Sequence, residues 1–148
     1  MKSEKTIWLG LGYAGLLPFI ITTVMSWAGW VTPWLDPKFA FISYSATILS
    51  FLAGTLWGRV LSLYASNNIG NLLILSNLYA LLAWFSLLLA VPAVGLVTLS
   101  FGYFSLLSIE KNCQNLPVDQ EYRRMRVRLT SVALLTHFLM LINILFGG

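Results

Sequence analysis

Charged residues are scarce in this chain of 148 residues, since Asp, Glu, Lys and Arg together make up 9% of it. Soluble globular domains carry about 25% charged residues, and a chain with so few cannot cover its own surface with polar groups. The hydrophobic fraction is 58% and the mean hydropathy is +0.81. The composition therefore excludes a soluble protein and predicts an integral membrane protein.

Residues that carry chemistry are also few. The sequence has one cysteine, Cys113, and one histidine, His137, so it can form neither an internal disulfide nor a haem site with two of its own histidines. No HExxH motif, phosphate-binding loop or pair of carboxylates occurs. We therefore predict no catalytic residue, no metal site and no cofactor, and we expect that the protein is not an enzyme.

Five apolar stretches are long enough to cross a bilayer as helices, for which about 20 residues suffice. We predict spans at about 7–31, 39–64, 69–91, 93–109 and 127–146, all in one transmembrane domain, 1–148. Three breaks are polar or rich in turn-forming residues: TPWLDPK (32–38), ASNNIGN (65–71) and EKNCQNLPVDQEYRR (110–124). The uncharged run 69–109 is twice one span, so we expect a hairpin near Pro92. The predicted fold is an all-α bundle of five transmembrane helices.

Basic residues are concentrated on one side of this arrangement. Five spans place the N-terminus and the 110–124 loop on the same side, which carries Lys2, Lys5, Lys111, Arg123, Arg124, Arg126 and Arg128. The other side carries only Lys38. Because basic loops stay in the cytoplasm, we expect a cytoplasmic N-terminus and an outside C-terminus. No Arg-rich transit segment is visible, which favours a multi-pass protein of a bacterial inner membrane.

Aromatic and basic residues predict contacts with lipid headgroups. Tryptophan rings favour the headgroup level, and three gather at the outer end of the first span: Trp27, Trp30 and Trp34. The run YRRMRVRLT (122–130) opens the last span with Arg123, Arg124, Arg126 and Arg128. We expect these arginines to bind anionic headgroups on the cytoplasmic side. A membrane-protein partner or a second copy of the chain is an open alternative, and no nucleic acid is expected.

Small residues recur at every fourth position in ATILSFLAGTLWGR (46–59): Ala46, Ser50, Gly54 and Gly58. In lipid, helices associate through the close packing that small residues allow. We therefore predict that another helix of the same chain crosses this face, and homodimerisation through it is the alternative.

The first span has a shorter version of this pattern, with Gly10 and Ala14 four residues apart. Pro18 is expected to bend the helix. The bend leaves a carbonyl near Ala14 that needs a donor from a neighbouring helix.

Two polar features remain within the spans. Arg59 lies near the inner end of the second span, at the depth of Glu110, and we expect it to reach the headgroups or to pair with that carboxylate. His137 is the one ionisable residue near the middle of a span, and Thr130 shares its helical face. Such residues are functional candidates by default.

Two interpretations of His137 stay open. In the first, a neutral imidazole is hydrogen-bonded to another helix, and the candidate partners are Asn77, Ser76, Ser43 and Ser50. In the second, His137 relays a proton, contacts a haem or quinone, or binds a polar solute on a path lined by the second helix. The first suits a non-enzymatic accessory, assembly or lipid-interacting component. The second suits a small-molecule or ion permease, which needs a solvated cavity that reaches His137.

The segments LGYAGLLPF (11–19), YSATILSFLAGTLWG (44–58) and YRRMRVRLT (122–130) resemble a family of small five-helix membrane proteins that carry a domain of unknown function. The family occurs in proteobacteria and, in animals, in the mitochondrial inner membrane. Where it often shows a Gly-Gly pair and a histidine before Trp-Gly, this sequence has Ala53-Gly54 and Leu56-Trp57. The resemblance implies a fold and a location, and it implies no activity.

Overall fold

The protein is described by a computed structural model at residues 2–62, 69–112 and 119–147. Its helices in that part of the chain are α1 (Lys2–Ala14), α2 (Leu17–Trp27), α3 (Pro37–Leu61), α4 (Ile69–Leu88), α5 (Pro92–Asn112) and α6 (Gln120–Phe146). Five segments are long and apolar enough to cross a membrane: Thr6–Trp27, Pro37–Leu61, Gly70–Leu88, Pro92–Asn112 and Gln120–Phe146. The predicted all-α fold with five spans is confirmed. Cys113 and most of the predicted 65–71 turn lie outside the described residues.

The outward surface of the bundle is apolar, as a lipid solvent requires. Large rings point away from the core on α5 and α6, where Phe101 is 65% exposed, Phe104 62% and Phe138 59%. Soluble monomers rarely expose contiguous apolar patches larger than a few hundred Å². The structure therefore describes a multi-pass membrane protein.

The first span is two helices joined at Gly15 and Leu16, because Pro18, in the first turn of α2, has no N–H to continue the hydrogen bonds of α1. The carbonyl of Gly15 is left free by the break and accepts a hydrogen bond from the Tyr44 hydroxyl at 2.8 Å. The expected bend is present, and the neighbouring donor binds one residue later than Ala14.

Some helices begin or end at other residues than the predicted spans, because capping residues set the ends of these helices. α2 stops at Trp27 because Gly29 takes a positive φ of 68°, and the amide of Trp30 then donates to the Met25 carbonyl. α6 begins well before residue 127 because Asp119 caps it by accepting from the Glu121 amide at 3.3 Å. α5 continues to Asn112, so Glu110 lies inside a spanning helix.

α3 is the centre of the bundle and packs against α2, α4 and α5, while α6 packs against α5, α2 and α1. Asp36 caps α3 by accepting from the Lys38 amide at 2.9 Å, and Pro37 occupies the first turn. The largest fully buried apolar side chains lie along α2, α3, α5 and α6: Phe19, Phe41, Leu49, Leu56, Leu96, Leu99, Leu106 and Met140.

The predicted packing through small residues is wrong along most of α3. Ala46 is buried and Ser50 is half-buried, but Gly54 and Gly58 are exposed. Apart from the chain neighbours and the local backbone of α3 itself, no atom of the described residues lies within 4 Å of a Cβ built at either glycine. The reason is geometric: four residues turn a helix by about 400°, so the stripe drifts about 40° at each step away from the core.

Close helix approach occurs at other glycines. A Cβ at Gly102 of α5 would lie 2.5 Å from Leu49 Cδ2, and one at Gly95 would lie 3.0 Å from the Ser86 carbonyl oxygen. In the first span, Gly10 and Ala14 are exposed and the close approach is at Gly12, against Met125 of α6. Among the described glycines, close approach to a different helix within 3.0 Å therefore occurs at Gly102, Gly95 and Gly12.

We expect Gly102→Val to lower the free energy of unfolding by about 1–3 kcal/mol, because the new methyl groups meet the fully buried Leu49 side chain. Gly54→Ala is the control, and it should be neutral or stabilising by up to about 1 kcal/mol, since alanine favours a helix. Thermal unfolding in a mild detergent measures both. A larger loss for Gly54→Ala would show that α3 has a partner on this face.

Candidate functional site

His137 lies in the closed interior of the bundle and is 1% exposed. Its Nε2 is 2.6 Å from the Ser45 hydroxyl of α3, and its Nδ1 is 2.7 Å from the Ala133 carbonyl of its own helix. Because a carbonyl only accepts, Nδ1 carries the proton and Nε2 accepts from Ser45. Both ring nitrogens of a neutral imidazole are therefore satisfied.

Aromatic rings enclose the imidazole. The ring centroids of Phe41, Tyr103 and Phe19 lie 4.8, 5.3 and 5.6 Å from that of His137. The Tyr103 hydroxyl donates to the Ser45 carbonyl at 2.8 Å, so Ser45 joins α5 and α6 to α3 through its backbone and its side chain. This arrangement holds three helices together and leaves His137 no contact with solvent.

The sequence does not single out Ser45 as the partner of His137. Three of the partners that it suggests are hydrogen-bonded to backbone carbonyl groups instead. Asn77 is exposed and donates to the Leu73 carbonyl of its own helix at 3.1 Å. Ser76 donates to the Ala53 carbonyl at 2.6 Å, and Ser43 bonds within α3. One signal identifies Ser45 in retrospect: it lies one helical turn from Phe41 and Leu49 on the buried face of α3.

A second polar cluster joins three helices nearer the end of the bundle where α5 ends and α6 begins. Glu110 of α5 accepts from Arg126 Nε at 3.1 Å and Nη2 at 2.8 Å, both on Oε2. Its other oxygen, Oε1, accepts from Arg59 Nη2 of α3. The side chains of Glu110 and Arg126 are 7% and 6% exposed, and that of Arg59 is 22% exposed. Two guanidinium groups and one carboxylate give this cluster a net charge of +1.

Arg126 differs from the other arginines predicted to bind headgroups. It is buried and engaged by Glu110, so it is not part of the exposed basic face that Arg123, Arg124 and Arg128 form. The reason is helical phase, since Arg126 lies on the inward face of α6 with Thr130, Ala133 and His137. Arg59 meets Glu110 at the expected depth and also lies over the Tyr122 ring, 5.7 Å from its centroid.

The remaining basic residues of α6 are exposed and form a groove with the end of α5. This basic groove is lined by Lys111, Gln120, Arg123, Arg124, Val127 and Arg128, and no acidic residue is among them. The predicted tryptophan anchors lie around the other end of the first span, where Trp27 is 54% exposed, Trp30 66% and Trp34 94%. Exposed rings of this kind are typical of a headgroup belt.

No group of three or more His, Cys, Asp or Glu side chains with metal-binding geometry occurs among the described residues. The sequence profile of a family described as "Protein of unknown function (DUF3429)" matches residues 4–142. No curated protein and no solved structure matches the chain.

Proposed function

The chain belongs to the DUF3429 family of proteins of unknown function, and we propose that it is a non-enzymatic, lipid-interacting component of a bacterial inner membrane. Its N-terminus then lies in the cytoplasm and its C-terminus outside. The partners are anionic phospholipids of the cytoplasmic leaflet.

The basic groove is the observation that carries this proposal. It presents Lys111, Arg123, Arg124 and Arg128 together at one end of the bundle, and no carboxylate lines it. Each basic residue close to an anionic membrane surface contributes about 1 kcal/mol to binding. Basic pockets between transmembrane helices on the cytoplasmic side are typical sites for phosphate headgroups.

The enclosure of His137 supports a lipid-interacting or accessory role over a permease. A path for a polar solute needs polar groups that face water, whereas His137 is 1% exposed and both its nitrogens are used inside the bundle. Glu110 and Arg126 likewise neutralise each other across a helix interface. These contacts specify how the helices pack, and they engage His137 and Glu110 within the bundle.

We expect the triple variant Arg123→Gln/Arg124→Gln/Arg128→Gln to lose about two orders of magnitude in affinity for phosphatidylglycerol, since three contributions of about 1 kcal/mol are removed. Native mass spectrometry of the full chain with phosphatidylglycerol or phosphatidylcholine measures the bound lipid. The matched control replaces the same arginines by lysine, which keeps the charge. Equal retention of the two lipids by the wild-type protein would contradict the proposal.

An accessory or assembly role has a separate test. Purification in a gentle detergent, followed by mass spectrometry of the proteins that co-purify, should give a stoichiometric membrane partner if the chain is a subunit. A protein that purifies with lipid alone would instead support an independent lipid-interacting component.

A further inference from the structure

A second cavity, separate from the basic groove, opens between α1, α2, α3 and α6. Its volume is about 700 Å³, within the range of about 300–1,000 Å³ that is usual for small-molecule sites. Most of its wall is apolar and includes Leu11, Leu16, Ile48, Leu52, Leu129 and Ala133. Its deep end is closed by Phe19 and Tyr103, the rings that separate it from His137. We call it the interhelical cavity.

Polar groups are gathered towards one end of the interhelical cavity. Tyr122, Arg126 and Asp119 line that end, where α6 begins. Arg126 belongs to the cluster with Arg59 and Glu110, whose net charge is +1. Glu110 uses two of the five N–H donors of this guanidinium. Asp119 offsets the charge of this cluster, so the polar end is close to neutral. It still presents the unused guanidinium N–H groups of Arg126 and the Tyr122 hydroxyl as donors to an oxygen acceptor.

Thr130 provides an independent indication of a ligand. It lines the cavity and is 3% exposed, yet its hydroxyl hydrogen-bonds no residue in the part of the chain that the structure describes. No fully buried side-chain oxygen or nitrogen of the described residues lacks a partner, so the Thr130 hydroxyl keeps accessible surface on a residue that lines the cavity and can bond to a ligand there. Thr130 lies one turn deeper than Arg126, which is about 6 Å along the helix.

We propose that the interhelical cavity binds one acyl chain of an anionic phospholipid, with the phosphate at Arg126 and Tyr122 and the ester carbonyl at the Thr130 hydroxyl. The apolar wall then covers the part of the acyl chain nearest the ester. The acyl chain enters from the bilayer between α1 and α3. Because the ligand is an anionic phospholipid, this inference rests on the proposed function. It uses none of the residues that line the basic groove.

Photo-crosslinking tests the proposal on the full chain in vesicles of phosphatidylcholine that contain phosphatidylglycerol with a diazirine in its acyl chain. We expect adducts to concentrate on residues that line the cavity, in α1, α3 and α6. Thr55→Trp should reduce them about tenfold, the effect of a loss of about 1.4 kcal/mol in affinity, because Thr55 is half-buried in the cavity wall. Thr47→Trp is the matched control, since Thr47 is exposed on the same helix and does not line the cavity.

A second, smaller substitution tests the same cavity if Thr55→Trp does not fold. Thr130→Val keeps the side-chain shape and removes the hydroxyl, so we expect about a fivefold loss of cavity adducts, the effect of one neutral hydrogen bond. Adducts spread evenly over all lipid-facing helices, or unchanged by both Thr55→Trp and Thr130→Val, would overturn the inference. The triple glutamine variant of the basic groove should keep its cavity adducts, which separates a failure of this inference from a failure of the proposed function.

Discussion

Replacing Glu110 by glutamine is expected to lower the free energy of unfolding by about 3–5 kcal/mol, the usual effect of removing one partner of a buried ion pair. Among the described residues, Glu110 is the carboxylate that forms ion pairs with both Arg59 and Arg126. The substitution removes the carboxylate that pairs with the guanidinium of Arg126, which is 6% exposed. Desolvation of an unpaired charge has a large unfavourable free energy, so the contact between α3, α5 and α6 should loosen.

Unfolding of the detergent-solubilised protein, followed by circular dichroism, measures this loss. The control is Glu121→Gln, which removes an exposed carboxylate from the same end of the bundle. The double variant Glu110→Met/Arg126→Met should be more stable than Glu110→Gln, because it removes the unpaired charge together with its former partner. If Glu110→Gln and Glu121→Gln unfolded alike, Glu110 would not hold the three helices together.

Replacing His137 by alanine is expected to lower the free energy of unfolding by about 2–5 kcal/mol, the range for large-to-small substitutions in a core. The change leaves a cavity among the rings of Phe19, Phe41 and Tyr103. It also leaves the Ser45 hydroxyl without the nitrogen to which it donates. Both effects weaken the contact between α3 and α6.

The neighbouring residue is a matched control for His137. Phe138 is on the same helix one position later, but it is 59% exposed towards lipid. Phe138→Ala should change stability by less than about 0.5 kcal/mol, as surface substitutions usually do. Similar losses for the two alanine variants would mean that His137 does not organise the core. A stable His137→Ala protein that had lost transport of a polar solute would instead support the permease.

The scarcity of charge and the length of the apolar runs were enough to predict the fold. Lipid dissolves a chain that is 58% hydrophobic only if every backbone group is bonded internally, and helices satisfy that requirement. Five helical spans are present in the described residues, and the resemblance to a five-helix family of unknown function is confirmed by the match over residues 4–142. Orientation in the membrane stays a prediction, because the positive-inside rule describes insertion and the folded bundle does not record it.

The polar clusters were predictable in part. Arg59 and Glu110 have matching depths when five spans are laid side by side, and their contact is present. The depth of a residue in the membrane depends only on its position along the helix, and the sequence specifies that position. The place of Arg126 in the same cluster, and of Ser45 beside His137, depends on how each helix is rotated about its axis.

The sequence by itself determined that lipid surrounds the protein, how many spans it has and how deep each polar residue lies. It could do so because hydropathy and length are local properties of the chain. The tertiary structure alone decided which face of each helix points inward. A pattern repeated every fourth residue drifts around the helix, so Ala46 is buried and Gly58 is exposed although both belong to one series. The closed surroundings of His137 and the interhelical cavity follow from the same rotations, since both are formed by side chains that distant helices bring together.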